Sequence, residues 1–235
     1  MADQVTGTFG VPRDKIHVVP NGVDASKFDK KVEYAAVKRR YAGPNEVIVL
    51  FVGRLVAEKG IHVLIGAAPK VLSILPNVKF IIVGEGGMKE NLLKETWDFG
   101  ISHKVFFTGF LDCESLYSLY RCADVCVVPS LYEPFGITAL EAMAARVPVV
   151  VSDTGGLSEI VEHDKTGVKT FPNNSDSLAW GITRILLDPS YAEMIKEMAY
   201  EEVLKKYDWN HIGEETRALY ERVHEECQKG SWRSV

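Results

Sequence analysis

The stretch VIVLFVGRLVAEKG, residues 47–60, is the clearest indicator of the fold. Its first six residues are all apolar and mostly β-branched, which is typical of a strand buried on both faces of a parallel sheet. Gly53 ends this strand, and a helical pattern from about residue 60 to 75 follows, either broken at Pro69 or kinked there. The stretch therefore predicts the start of a βαβ unit.

The same alternation of strand and helix continues to residue 207. Further strands are predicted at residues 78–84, 104–109, 124–130, 147–153 and 167–171. Helices are predicted at residues 88–100, 113–123, 136–145, about 156–161, 175–187 and 190–207. We predict an α/β fold with a doubly wound parallel sheet and right-handed crossovers. Ligands bind beyond the carboxyl ends of such strands, so the loops that follow the strands are candidate sites.

The two ends of the chain differ from this pattern. Residues 1–46 contain the turn-forming pair Asn21-Gly22 and a short helical piece near 34–41, and we interpret them as a lead-in or linker segment. Residues 47–207 form the predicted domain. Residues 208–235 are predicted to form a C-terminal helix at about 212–226 and a frayed tail.

Composition limits the class of protein. The 235 residues are 46% hydrophobic and carry a net charge of -5 without a block of lysine and arginine, so no nucleic-acid partner is expected. Locally clustered positive charge can still bind a small anion. The apolar runs are too short to span a bilayer, and the first ten residues lack a signal-peptide pattern. The cysteines have no metal-site spacing and are expected to be reduced thiols: Cys113, Cys122, Cys126 and Cys227. We expect a cytoplasmic protein without a transmembrane segment.

The first candidate loop is GRLVAEKG, residues 53–60. It places Arg54 and Lys59 just after a strand and before a helix. Two cations beside a helix N-terminus suit a diphosphate. The alternative is that both are ordinary surface charges.

The second candidate loop is VGEGG, residues 83–87. A dinucleotide motif G-x-G-x-x-G needs a third glycine where the chain has Lys89, and the next strand ends in Thr108-Gly109 instead of an acidic residue. A nicotinamide dehydrogenase is therefore disfavoured. Gly84 instead permits a tight turn or the close approach of a ligand.

The third candidate stretch is PSLYEPFGITALEAMA, residues 129–144, which places Glu133 and Glu141 in apolar surroundings. Buried carboxylates without partners are costly, and hydroxyl groups of a ribose and a sugar would satisfy them. Free amides at the start of the helix would face a phosphate; they belong to Gly136, Ile137 and Thr138. The alternatives for Glu133 are a salt bridge to Arg54 or Lys59, or a capping role.

At these residues the chain resembles the family 4 group of retaining GT-B glycosyltransferases. EPFGITALEAMA has the form of that family's E-x7-E signature, and further segments follow the family's order: GRLVAEKG, VGEGG, ADVCVVPS and TGGLSEIV. The resemblance covers about residues 20–187. It implies two Rossmann-like domains with donor and acceptor bound between them. This chain resembles the second, donor-binding half of that GT-B fold.

The resemblance also implies roles for individual residues. Arg54 and Lys59 would hold the donor diphosphate, Glu133 would contact the transferred sugar, and Glu141 would bind the ribose. The remaining donor-binding positions would be Gly53, Gly84, Phe110, Leu111, Gly136, Ile137 and Thr138. The sequence has no Asp-x-Asp motif, in agreement with a family that needs no metal cofactor and stabilises the departing nucleotide with cationic groups.

These points predict a hexosyltransferase donor domain that binds a nucleoside-diphosphate sugar, with UDP favoured as the nucleotide and glucose as the sugar. The acceptor domain is expected to be missing, so the chain alone would turn over little. Its C-terminal helix would be mobile or would mediate self-association, because Ile212, Leu219 and Val223 could lack a partner. The alternatives are a UDP-sugar epimerase or hydrolase of GT-B type, and a non-catalytic assembly partner.

Overall fold

The fold is a six-stranded, fully parallel sheet in the order β3-β2-β1-β4-β5-β6. The computed structural model describes residues 2–29 and 34–229. The strands are β1 Val47–Val52, β2 Val78–Val83, β3 Val105–Gly109, β4 Val125–Val128, β5 Val149–Ser152 and β6 Val168–Thr170. The predicted α/β class and the doubly wound sheet are confirmed.

The helices connect the strands and flank the sheet. They are α1 Ala2–Phe9, α2 Tyr34–Tyr41, α3 Ile61–Ile74, α4 Lys89–Asp98, α5 Cys113–Tyr120, α6 Ile137–Ala144, α7 Gly155–Ile160, α8 Ser175–Leu187, α9 Pro189–Lys206 and α10 Trp209–Gln228. Pro69 lies inside α3, which continues past it. Helix α10 begins earlier than the sequence predicted, because the Asp208 side chain caps it by accepting from the Asn210 amide.

Alternation along the central strand produces a core on each face of the sheet. Ile48 and Leu50 of β1 point to one face, where α5, α6 and α9 supply further buried residues. Val49 and Phe51 point to the opposite face, which α3 and α8 cover. Since both faces are buried, the uninterrupted apolar strands have a direct physical reason.

The lead-in segment packs on the first of these faces. A 3-10 helix, Ala25–Phe28, places the Phe28 ring 4.9 Å from the Tyr117 ring and 5.9 Å from the Tyr120 ring. Val23 is also buried there. Part of the segment therefore contributes to the core, and the domain boundary at residue 46 stays a prediction.

The lead-in segment and the end of the domain are joined by main-chain hydrogen bonds at Val23. The Val23 amide donates to the Tyr207 carbonyl at 2.8 Å, and the Trp209 amide donates to the Val23 carbonyl at 3.3 Å. Ile212 of α10 is buried, which corrects the expectation that it lacks a partner, whereas Leu219 is half-buried and Val223 is 37% exposed. Self-association through α10 stays a prediction. Within the described ranges, no helix has both the length and the apolar character required to span a bilayer.

Candidate functional site

The loops that follow β1, β4 and β5 are tied to one another at the carboxyl edge of the sheet. The Leu131 amide donates to the Glu58 carbonyl at 2.8 Å, and the Gly156 amide donates to the Glu133 carbonyl at 2.8 Å. Main-chain bonds of this kind fix the relative positions of the side chains that the loops carry. The loops singled out in the sequence therefore form one connected surface.

The loop after β2 joins the same surface through its glycines. Gly84 has φ +128°, and a Cβ atom there would lie 2.0 Å from the Gly53 carbonyl oxygen. The Leu55 amide donates to the Glu85 carbonyl at 2.9 Å. The close approach that Gly84 permits is thus to the protein's own main chain. A donor-binding role for Gly53 and Gly84 stays a prediction.

Glu133 is buried and paired with a cation. Its Oε2 atom lies 2.7 Å from Lys59 Nζ and accepts a hydrogen bond from Ser130 Oγ at 3.1 Å. The Glu133 residue is only 8% exposed. The salt bridge that the sequence left open as an alternative for this glutamate is present, with Lys59 as the partner.

Arg54 differs from Lys59 in having no ion partner. Its side chain is exposed just beyond β1, and it makes no hydrogen bond or salt bridge with any residue that the structure describes. A guanidinium in this state is available to a phosphate or carboxylate of a ligand.

Glu141 has a neutral partner. Its Oε2 atom accepts a hydrogen bond of 2.9 Å from the hydroxyl of Tyr120, which is fully buried. Burial raises the pKa of Glu141, and the Tyr120 hydrogen bond and the charge of Lys27 act in the opposite direction. The sequence analysis did not identify Tyr120 as a partner of Glu141, because the two residues lie on different helices.

Helix α6 begins at the same edge with unsatisfied amides. Gly136 precedes it with φ +115° and no side chain caps the helix. A Cβ atom at Gly136 would lie 2.7 Å from the Leu157 side chain, so a larger residue would collide there. The amides of Gly136, Ile137 and Thr138 have no acceptor within the described residues. This helix start can therefore bind an anion.

Phe110 and Leu111 follow β3, which is the edge strand next to β2. Phe110 is 83% exposed, whereas Leu111 packs partly against the core. An exposed aromatic ring at this place can stack on a planar ligand. The assignment of both residues to a nucleotide base stays a prediction.

A separate open groove, of about 720 Å³, lies beyond β5 and β6 and is lined in part by Asp153, Lys169, Phe171 and Trp180. It contains none of the predicted site residues. Across residues 2–29 and 34–229, no three His, Cys, Asp or Glu side chains are grouped so as to hold a metal ion. The expectation that no metal is needed stays a prediction.

Comparisons with known proteins place this geometry in a family. The family described as "Glycosyl transferases group 1" matches residues 36–202. An uncharacterized glycosyltransferase of Methanocaldococcus jannaschii is 43% identical over 228 residues, which are 94% of this chain and 57% of that protein. A glycogen synthase of Mycobacterium tuberculosis is 36% identical over 220 residues, 94% of this chain and 51% of that protein. The chain thus spans about half the length of these relatives.

Solved structures agree with the family match. Sucrose-phosphate synthase from Thermosynechococcus elongatus superposes with a TM-score of 0.81 at 31% identity, covering 95% of this chain and 56% of that one. HepE from Anabaena, solved with UDP-glucose, gives a TM-score of 0.83 at 26% identity and covers 92% and 60%. The chain belongs to the group 1 glycosyl transferases and is a GT-B glycosyltransferase domain.

Proposed function

We propose that the chain is the donor-binding half of a retaining hexosyltransferase and that its donor is a UDP-sugar, with glucose the favoured sugar. The observation that carries the proposal is a grouping at a single sheet edge: the exposed guanidinium of Arg54, the ammonium of Lys59 paired with Glu133, and the start of α6, whose first amides have no acceptor among the described residues. Two carboxylates belong to the same segment: Glu133, which is buried in the loop before α6, and Glu141, which is partly buried on α6.

The charges suit a diphosphate. Glu133 neutralises Lys59, which leaves Arg54 and the start of α6 as the positive groups among the predicted site residues. An ammonium group has three donors, so Lys59 can hold Glu133 and a phosphate oxygen together. These groups would stabilise the charge that develops on the nucleoside diphosphate as its bond to the sugar breaks.

The carboxylates suit hydroxyl groups on either side of that diphosphate. Glu133 would accept from hydroxyls of the transferred sugar, and Glu141 would accept from those of the ribose. Two of the similar proteins support the choice of UDP and glucose for the donor: HepE was solved with UDP-glucose, and one relative is a glycogen synthase. The acceptor would bind outside this chain, and transfer with retention at the anomeric carbon is part of the proposal.

Nucleotide binding by the 235-residue chain tests the proposal. We expect calorimetric titration to show binding of UDP in preference to GDP and ADP, unchanged by a chelator of divalent cations. Arg54→Ala should weaken UDP binding by about tenfold or more, because a charge-assisted bond to phosphate is lost. Its melting temperature should not change, since Arg54 makes no ion pair or side-chain hydrogen bond with the described residues.

The matched control is Arg39→Ala, which removes the same charge from an exposed position on α2. It should leave UDP affinity within about twofold, a change that corresponds to about 0.4 kcal/mol. Failure of all three nucleotides to bind, or equal binding by wild type and Arg54→Ala, would refute the proposal.

A further inference from the structure

We infer that Tyr120 is a positioning residue for nucleotide binding, because its hydroxyl holds the Glu141 carboxyl group in the orientation that meets the ribose hydroxyls. This inference rests on the proposed function, which assigns Glu141 to the ribose. It adds a residue that neither the sequence motif nor the family comparison singles out.

The hydrogen bond joins helices α5 and α6. Tyr120 ends α5 and is 0% exposed, and its hydroxyl donates to Glu141 Oε2 on α6 at 2.9 Å. The other oxygen of Glu141 has no hydrogen-bond partner in the described part of the chain. An ionised carboxylate has about four lone-pair sites, so a ribose diol can bind while Tyr120 keeps its bond.

The Tyr120 ring is itself held in place. Phe28, from the 3-10 helix of the lead-in segment, meets it edge-on at 5.9 Å between ring centroids. A tyrosine has two side-chain torsions, and close packing leaves it little freedom. The hydroxyl therefore reaches Glu141 from a fixed direction.

The remaining groups around Glu141 define what the hydroxyl does. The charge of Lys27 favours the ionised carboxylate, and burial opposes it. Cys126 of β4 and Tyr117 of α5 also face it, and burial raises the pKa of each, which keeps them neutral at pH 7. Burial likewise raises the pKa of Tyr120, so its hydroxyl keeps its proton and donates. Among the described residues, Tyr120 and Lys27 are thus the groups that favour the ionised form of Glu141.

Loss of the hydroxyl should therefore damage one part of ligand recognition. In Tyr120→Phe the pKa of Glu141 should rise further, because the hydrogen bond that lowers it is gone. A protonated, loosely oriented carboxyl is a weaker acceptor for hydroxyls. The loss should concern the ribose hydroxyls and leave the diphosphate contacts intact.

The test compares UDP with 2′,3′-dideoxy-UDP, which lacks both ribose hydroxyls, by calorimetric titration at pH 6 and pH 8. Wild type should prefer UDP by about tenfold or more, the value of one good charge-assisted hydrogen bond. In Tyr120→Phe the preference should fall to about threefold or less, with the larger loss at pH 6. Tyr117→Phe, one turn earlier on α5, should keep the wild-type preference.

Each outcome has a separate meaning. If wild type binds the two nucleotides equally, the ribose assignment within the proposed function fails. If wild type discriminates and Tyr120→Phe discriminates as well, or if the variant weakens both nucleotides by the same factor, the inference is overturned and Tyr120 is only structural.

A second measurement covers the case in which Tyr120→Phe does not fold. A crystal structure of the wild-type chain with UDP should show Glu141 within hydrogen-bond distance of both the Tyr120 hydroxyl and a ribose oxygen. Absence of either contact would overturn the inference without any variant.

Discussion

The two glutamates of the signature segment differ in the partners that compensate their charge. Glu133 is paired with the ammonium of Lys59 at 2.7 Å and accepts from a serine hydroxyl. Glu141 has one neutral donor, the Tyr120 hydroxyl, and burial raises its pKa. The same residue type in one motif thus occupies one charge-compensated position and one that is incompletely compensated.

The difference suggests where ligand binding changes the energetics. At Glu133 the cation already present can be shared with a diphosphate. At Glu141 a partly buried carboxylate has a desolvation cost, and hydroxyl donors from a ligand would reduce that cost. Stability measurements on the two positions should therefore respond with opposite signs.

The largest effect should come from disturbing the main chain that carries Glu133. Gly155 has φ +49°, and a Cβ atom there would lie 2.2 Å from the Glu133 carbonyl oxygen. Gly155→Ala should lower the free energy of unfolding by about 3 kcal/mol or more, through strain and collision. Gly87→Ala has open space around the new methyl group and should stay within about 0.5 kcal/mol. Urea denaturation of both variants measures this, and equal values would contradict the structure.

Removing the cation should have the next largest effect. Lys59→Met leaves Glu133 buried without its partner and should cost about 2 kcal/mol of unfolding free energy at pH 7. Lys89→Met breaks a more exposed pair with Glu85, 3.2 Å apart, and should cost less than about 0.5 kcal/mol. If the two variants cost the same, Glu133 does not depend on Lys59 for its burial.

The smallest and most informative effect should come from the same substitution at both glutamates. Glu133→Gln weakens the pair with Lys59 and, measured without added nucleotide, should lower the free energy of unfolding by about 1 kcal/mol. Glu141→Gln keeps an acceptor for Tyr120 and removes a buried charge, so it should stabilise the protein at pH 7 by about 0.5 kcal/mol.

The pH dependence of Glu141→Gln follows from the raised pKa of Glu141. A carboxyl group whose pKa is raised in the folded state contributes stability at pH values below its unfolded-state pKa. This contribution is lost as the pH rises through the folded-state pKa. The advantage of Gln should therefore be present at pH 7 and disappear as the pH falls toward 4.5, the ordinary pKa of the group. Thermal unfolding across this range measures it, and destabilisation at both positions would remove the distinction between them.

The regular part of the fold was predictable from the sequence, because strong local patterns determine it. The apolar run of β1 and the pattern of α8 predicted both elements with their observed bounds. Helix α1 was not predicted: its short segment ADQVTGTF is rich in poor helix formers, including glycine and two threonines. The strand order could not be derived with the same certainty, since it depends on packing between distant segments.

The candidate site was predictable as a set of loops and less so as a set of contacts. Strand ends indicated where Arg54, Lys59 and Glu133 would lie. The partner of each carboxylate depends on side chains brought together from elements as much as 74 positions apart, and a single sequence does not contain that distance information. Tyr120 was overlooked for this reason.

The crossing of Val23 with residues 207–209 has a mechanical consequence. The chain enters and leaves the sheet domain through one joint held by two main-chain hydrogen bonds, and a Cβ atom on the neighbouring Gly22 would lie 2.8 Å from the Tyr207 carbonyl oxygen. Because these bonds join the two segments, a displacement of the chain before Val23 would be transmitted directly to the start of α10 at Trp209.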